Sequence, residues 1–148
     1  QQYAKQENSA TGQILCIDGE NAFIDPAQID TGKGKSTTLQ ITVKERGLYR
    51  LEFTCKAAEG TGELAQIPLS VFQDKKLVET VTLSGADTNW QQKVIEFPIP
   101  LFSYTFYVKL FFGMSGMEIK DMKVLMSKSM EEELRQAMLK RKEQNPEE

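Results

Sequence analysis

Histidine is absent from the 148 residues, which removes the commonest general base and the commonest metal ligand together. Cysteine occurs only as Cys16 and Cys55, too few for a disulfide scaffold. No run of about 18 apolar residues exists, so no membrane-spanning helix is expected. Neither sign of charge dominates: 18 Lys and Arg against 21 Asp and Glu leave a formal net charge of −3. A nucleic-acid footprint needs a concentrated basic face, so nucleic acid is not an expected partner. What is present is ordinary globular composition, 40% hydrophobic and 26% charged. A chain this long buries roughly two-thirds of its unfolded surface without covalent staples.

From Gln13 to Met126 the apolar residues recur with period two, the strand signal. Tyr49, Leu51, Phe53 and Cys55 alternate with Arg50, Glu52, Thr54 and Lys56. Leu39, Ile41 and Val43 form a second inward set, and Ile67, Leu69 and Val71 a third. The polar link Gln73–Lys76 returns the chain as a hairpin. Ile95, Phe97 and Ile99 follow Trp90; then come Phe106, Val108, Leu110 and Phe112, and finally Ile119, Met122 and Val124. Glycine-rich or polar breaks separate these runs at 31–36, 59–63, 84–89 and 113–116. Eight or nine short strands joined by turns predict an all-β, antiparallel two-sheet sandwich. Cys55 falls in the inward phase, and two buried thiols are expected because free cysteine is among the most buried residue types. A Cys16–Cys55 disulfide in an exported protein is the alternative.

The period changes at Ser129. Met130, Leu134, Ala137 and Met138 recur at helical spacing, and Ser129 with Glu132 forms a capping box. This C-terminal amphipathic helix is expected either to dock on the sandwich or to lead into a neighbouring domain. The organisation read from the chain is therefore an N-terminal extension over 1–12, a sandwich over 13–126, and a helix with its tail over 127–148. The start at Gln1-Gln2-Tyr3, without an initiator Met, suggests a processed export product or a cut piece. A secreted, periplasmic or cell-surface location follows as an expectation.

Two motifs tempt and one ion is a candidate. TGKGKSTT resembles a phosphate-binding loop, but the required first glycine is Ile29 and a strand rather than a helix follows. Asp18, Glu20, Asp25 and Asp30 crowd the amino end. Asp18 and Glu20, two apart, share one side of a strand, and with Asp121 they are the candidate ligands of a structural calcium. No cofactor is otherwise required. No nucleophile elbow, metal-ligand cluster or singled-out carboxylate pair marks an active site, so an enzyme is not expected.

The stretch LFSYTFYVKLFFG carries more. If Phe106, Val108, Leu110 and Phe112 face a core, then Tyr107, Lys109 and Phe111 face outward, with Tyr104 near the strand's start. Flat rings beside hydrogen-bonding groups suit a pyranose, whose C–H bonds stack on the π face while its hydroxyls need polar partners. The competing expectation is that a loop, the helix or another domain covers these rings.

GLYRLEFTCKA, NWQQKVIEFPI and YVKLFFGMSGMEIKDMKVLM, in that order from Gly47 to Met126, resemble the carbohydrate-binding modules of the family 4/9 type. The family shows a "G-x-Y-x-(apolar)-x-F" strand, carried here by Gly47, Tyr49, Leu51 and Phe53. A Trp opens a later strand, as Trp90 does, and the closing strand matches at Gly116, Ile119, Asp121 and Val124. Where the family has a second aromatic after the Trp, this chain has Lys93 and Val94. The resemblance implies a galactose-binding-like jelly roll serving as a non-catalytic accessory domain of a polysaccharide-degrading enzyme. Its partners would be a polysaccharide or oligosaccharide and an adjacent catalytic domain. It implies that Trp90 supports the fold. It also implies that the strand of Tyr107 neighbours the strand of Tyr49, so that Arg50, Glu52 and Thr54 join Tyr104, Tyr107, Lys109 and Phe111 in binding the ligand. A structural or protein-interaction sandwich without sugar binding is the alternative.

Overall fold

The structure, a computed structural model, describes residues 14–18, 21–99 and 103–144. Nine strands occur among them: β1 Ile14–Asp18, β2 Asn21–Ile24, β3 Lys35–Thr42, β4 Gly47–Ala57, β5 Gln66–Gln73, β6 Lys76–Ser84, β7 Gln91–Glu96, β8 Thr105–Phe112 and β9 Met117–Ser129. A single helical turn, Pro26–Gln28, follows β2, and the helix α1 spans Met130–Gln144. Two sheets face each other, one ordered β1-β3-β8-β5-β6 and the other β2-β9-β4-β7. The fold is a jelly-roll β-sandwich, all-β apart from the carboxy-terminal helix. One pair departs from the antiparallel expectation: β1 runs parallel to β3. The intervening β2 crosses to the opposite sheet, so the chain re-enters the first sheet in the direction it left.

The alternation read from the sequence builds the core. β4 buries every second residue, and Tyr49, Leu51 and Cys55 are fully enclosed. From the facing sheet Phe106 meets Tyr49 at a ring separation of 5.9 Å, while Phe97 stands edge-on to Phe106 at 5.7 Å. Such tilted arrangements suit the ring quadrupoles. The buried Tyr49 hydroxyl donates to the carbonyl of Glu45, so the one polar atom of this ring is satisfied. Gly47 has a steric cause: a Cβ there would stand 2.1 Å from the Lys128 carbonyl oxygen, so only glycine lets β9 close against β4. β9 pairs with β4 through a bulge opposite Glu52–Thr54, and Asp121 sits in it with φ 53°, a left-handed conformation that Asp tolerates.

Two expectations are corrected. Gln73, placed by the sequence in a polar turn, is fully buried, and Asp74-Lys75 alone make the hairpin. Its amide donates to the Ile99 carbonyl at 2.8 Å and accepts from the Ile99 amide at 3.0 Å. It thereby stands in for a strand partner where β7 has already ended, so Ile99 is held in a loop. Cys16 is exposed and only Cys55 is buried; both thiols are free. The β1 register sets Cys16 opposite Gln40, in the outward phase, while Leu15 and Ile17 pack on the core. Of the two arrangements expected for α1, docking along the sandwich is not the one seen. Ser129 caps it, accepting from the Glu132 amide at 3.1 Å, but Leu134 and Met138 stay exposed. The apolar stripe is too narrow to pull the helix down. TGKGKSTT is a turn entering β3, as its lack of the loop's first glycine predicts.

Candidate functional site

β8 lies at the centre of the five-stranded sheet, between β3 and β5. Phe106, Val108, Leu110 and Phe112 are buried between the sheets, so Tyr107, Lys109 and Phe111 project from the outer face. Tyr107 is 39% exposed and Phe111 36%. The β3 register sets Gln40 beside Tyr107, Thr38 beside Lys109 and Ser36 beside Phe111. On the other side β5 sets Phe72 beside Lys109 and Ser70 beside Phe111. The Lys109 ammonium lies 5.4 Å from the Phe72 ring centroid. The β5–β6 turn braces the start of the row: Asp74, at φ 56°, donates its amide to the Tyr107 carbonyl at 2.7 Å. The Asp74 carboxylate accepts from the Tyr107 amide at 3.1 Å. Three aromatic rings, one ammonium, an amide and several hydroxyls thus share one rigid surface.

The other predicted residues lie elsewhere. β4 pairs with β7 and β9 in the four-stranded sheet, not with β8, so Arg50, Glu52 and Thr54 are on the opposite outer face. The neighbouring of β8 and β4 implied by the resemblance is therefore corrected. The two strands face each other across the core instead of pairing edge to edge. There Arg50 donates to Glu52 at 2.7 Å, and Lys123 approaches the same carboxylate at 4.0 Å. Tyr104 precedes β8, and its ring carries the Arg46 guanidinium at 5.7 Å; Arg46 in turn pairs with Glu131 of α1 at 3.3 Å. Trp90 is 39% exposed rather than enclosed, with the ammonium groups of Lys56 and Lys120 at 4.9 and 4.3 Å from its centroid.

Most of the candidate calcium ligands fall outside what the structure describes. Glu20 lies outside the described residues, as does the Asp18 side chain. Asn21 pairs with Leu125, so the chain enters β2 four residues of β9 away from Asp121, about 13 Å at the usual strand rise. Among the described residues no group of three acidic or thiol side chains is placed to hold a metal ion. Two groups have displaced pKa values. Burial pushes the Cys55 thiol up against a smaller opposing pull from Lys93. Asp87 is held below the usual carboxylate range chiefly by the Ser84 amide, which donates to it at 2.8 Å.

Sequence reasoning missed Phe72, Gln40, Thr38 and Ser70. Parity alone put Phe72 outward, opposite in phase to Leu69 and Val71. What no parity argument supplies is strand order, and strand order decides which outward residues meet.

No protein-family model matches the chain, and no curated protein does. Solved structures do. A β-glucosidase from Paenibacillus barengoltzii superposes with a TM-score of 0.51 at 18% identity, over 79% of this chain and 12% of that one. The chain thus spans about an eighth of that enzyme's length. A family 35 carbohydrate-binding module from Clostridium thermocellum is 18% identical at a TM-score of 0.47, covering 72% and 78% of the two chains. The carboxy-terminal family 6 module of a marine laminarinase from Zobellia galactanivorans is 12% identical at 0.48, covering 71% and 78%. At these identities the likeness is one of fold.

Proposed function

We propose that this chain is a non-catalytic carbohydrate-binding module whose ligand lies on the outer face of the five-stranded sheet. The observation that carries the reading is the row Tyr107, Lys109 and Phe111 with Phe72 beside it, left open on an otherwise uncharged sheet centre. Exposed aromatic faces interleaved with Thr38, Gln40 and Ser70 match a sugar's two sides, apolar C–H faces and polar hydroxyl edges. The module type that the strand motifs resemble, 4/9, belongs to this reading. So do an accessory role beside a polysaccharide-degrading domain and a secreted, periplasmic or cell-surface location. A calcium ion held by Asp18 and Glu20 belongs to it as well. Such an ion would raise the thermal midpoint by binding only the folded state, and midpoints with excess calcium and with chelator read this out.

Glycan-array binding followed by affinity gel electrophoresis tests the sugar reading. A retarded wild-type band that Tyr107→Ala releases is the expected result. No retardation by any polysaccharide would leave the protein-interaction reading, for which the exposed Leu134 and Met138 of α1 are the specific observation.

A further inference from the structure

We infer that the glycan taken by this face is an acidic one, its sugars bearing carboxylate or sulfate groups, and that Lys109 is the residue that recognises the charge. The inference rests on the sugar-binding reading and narrows it to a ligand class. Among the described residues, Lys109 is the one charged side chain at the outward positions of β3, β8 and β5; its companions there are Ser, Thr, Gln, Pro, Tyr and Phe. It is half-buried, and among the described residues no carboxylate lies within ion-pairing distance of its ammonium. Arg50, Lys56 and Lys123, on the opposite outer face, each have one.

The Phe72 ring, 5.4 Å away, holds the ammonium in place without cancelling its charge. A cation positioned but not neutralised, in surroundings less polar than bulk water, interacts strongly with a ligand anion. The geometry sets where that anion sits. Lys109 is midway between Tyr107 and Phe111, which are four residues and so about 13 Å apart along the strand. That span takes more than one sugar ring, with the acidic group between the stacked units. The chain as a whole carries a net charge of −3 and offers a polyanion no long-range attraction. The preference must therefore be local, with a shallow salt dependence set by one contact.

The test uses the full chain with polygalacturonate, its carboxyl-reduced neutral form, κ-carrageenan and a panel of neutral glycans, by affinity electrophoresis and titration calorimetry. At least one acidic polymer is expected to bind ten-fold or more tightly than the neutral ones. Which of them binds separates carboxylate from sulfate recognition. Lys109→Met should abolish that preference with the thermal midpoint unchanged, whereas Lys123→Met, removing a cation from the other sheet, should keep it. Equal binding of acidic and neutral polymers, or a preference that survives Lys109→Met, overturns the inference. If neutral glycans bind and Tyr107→Ala releases them, the sugar reading stands without it. If no polymer of either kind binds, both fall.

Discussion

The two outer faces of this sandwich are built by the same alternation and could hardly be less alike. On the four-stranded sheet, β4 contributes Arg50, Glu52 and Lys56 and β9 contributes Glu118, Lys120 and Lys123, with Glu52 opposite Lys123 and Lys56 opposite Glu118 by register. Most of these charges find a partner within the sheet. On the five-stranded sheet the corresponding rows are neutral and aromatic, and their single ammonium has a ring for company. A face that pairs its own charges is already satisfied in water and gains little from a ligand. A face that leaves rings and one cation open has interactions still to make. That difference is what the proposed binding face rests on, in a fold whose core does not distinguish the two sheets.

The contrast of inward and outward phases can be broken most sharply with the thiols. Cys16, on the outer side of the aromatic sheet, should react with a maleimide in the native protein, and Cys55 only on unfolding. Burial keeps Cys55 protonated, so its stabilising share is complete below the ordinary thiol pKa and fades as pH rises through the raised one. An unreactive Cys16 in the native protein would put β1 in the wrong register, and a reactive Cys55 would do the same for β4. Next in size, Phe106→Ala should cost about 3–5 kcal/mol in urea unfolding, as truncation of a buried ring does. Its neighbour Tyr107→Ala should leave the urea midpoint nearly unchanged. It should weaken glycan binding several-fold, because stacking is worth about 1 kcal/mol beyond area burial by analogy with aromatic pairs. Reversed behaviour of the pair would shift β8 by one residue and take the proposed face with it.

How much of this was legible beforehand follows from what each signal encodes. Period two is a local property, so the inward sets of β3, β4, β5 and β8 could be read directly, and the outward row of β8 came with them. The capping of α1 by Ser129 is equally local. Strand order is not local: nothing in GLYRLEFTCKA says that its neighbours are β7 and β9, and so Arg50 and Glu52 were assigned to the wrong face. Gln73 failed for a related reason. A glutamine before a turn reads as polar surface, yet its amide has both a donor and an acceptor and completes the backbone of Ile99, which is distant in sequence. The exposure of Trp90 has the same root. Its ring meets Lys56 and Lys120 only because β4 and β9 lie side by side.

The smallest effect expected is also the one that would reverse the comparison. Glu52 accepts from Arg50 at 2.7 Å and lies 4.0 Å from Lys123, so one carboxylate serves two cations on the charged face. Its side chain is only 14% exposed, which places the pairs toward the upper part of the roughly 0.2–1 kcal/mol that such contacts contribute. Glu52→Gln keeps the shape and removes the charge, so it should lower stability by about 0.5–1 kcal/mol at low ionic strength. The loss should shrink in molar salt, where screening has already weakened the native pairs. Glycan affinity should not change, because Glu52 and Tyr107 project from opposite sides of the sandwich. A variant that stays as stable as the parent would mean that the charged face is no more self-satisfied than the aromatic one. A variant that loses glycan binding would move the ligand to the four-stranded sheet, where Trp90 between its two lysines would become the ring to truncate next.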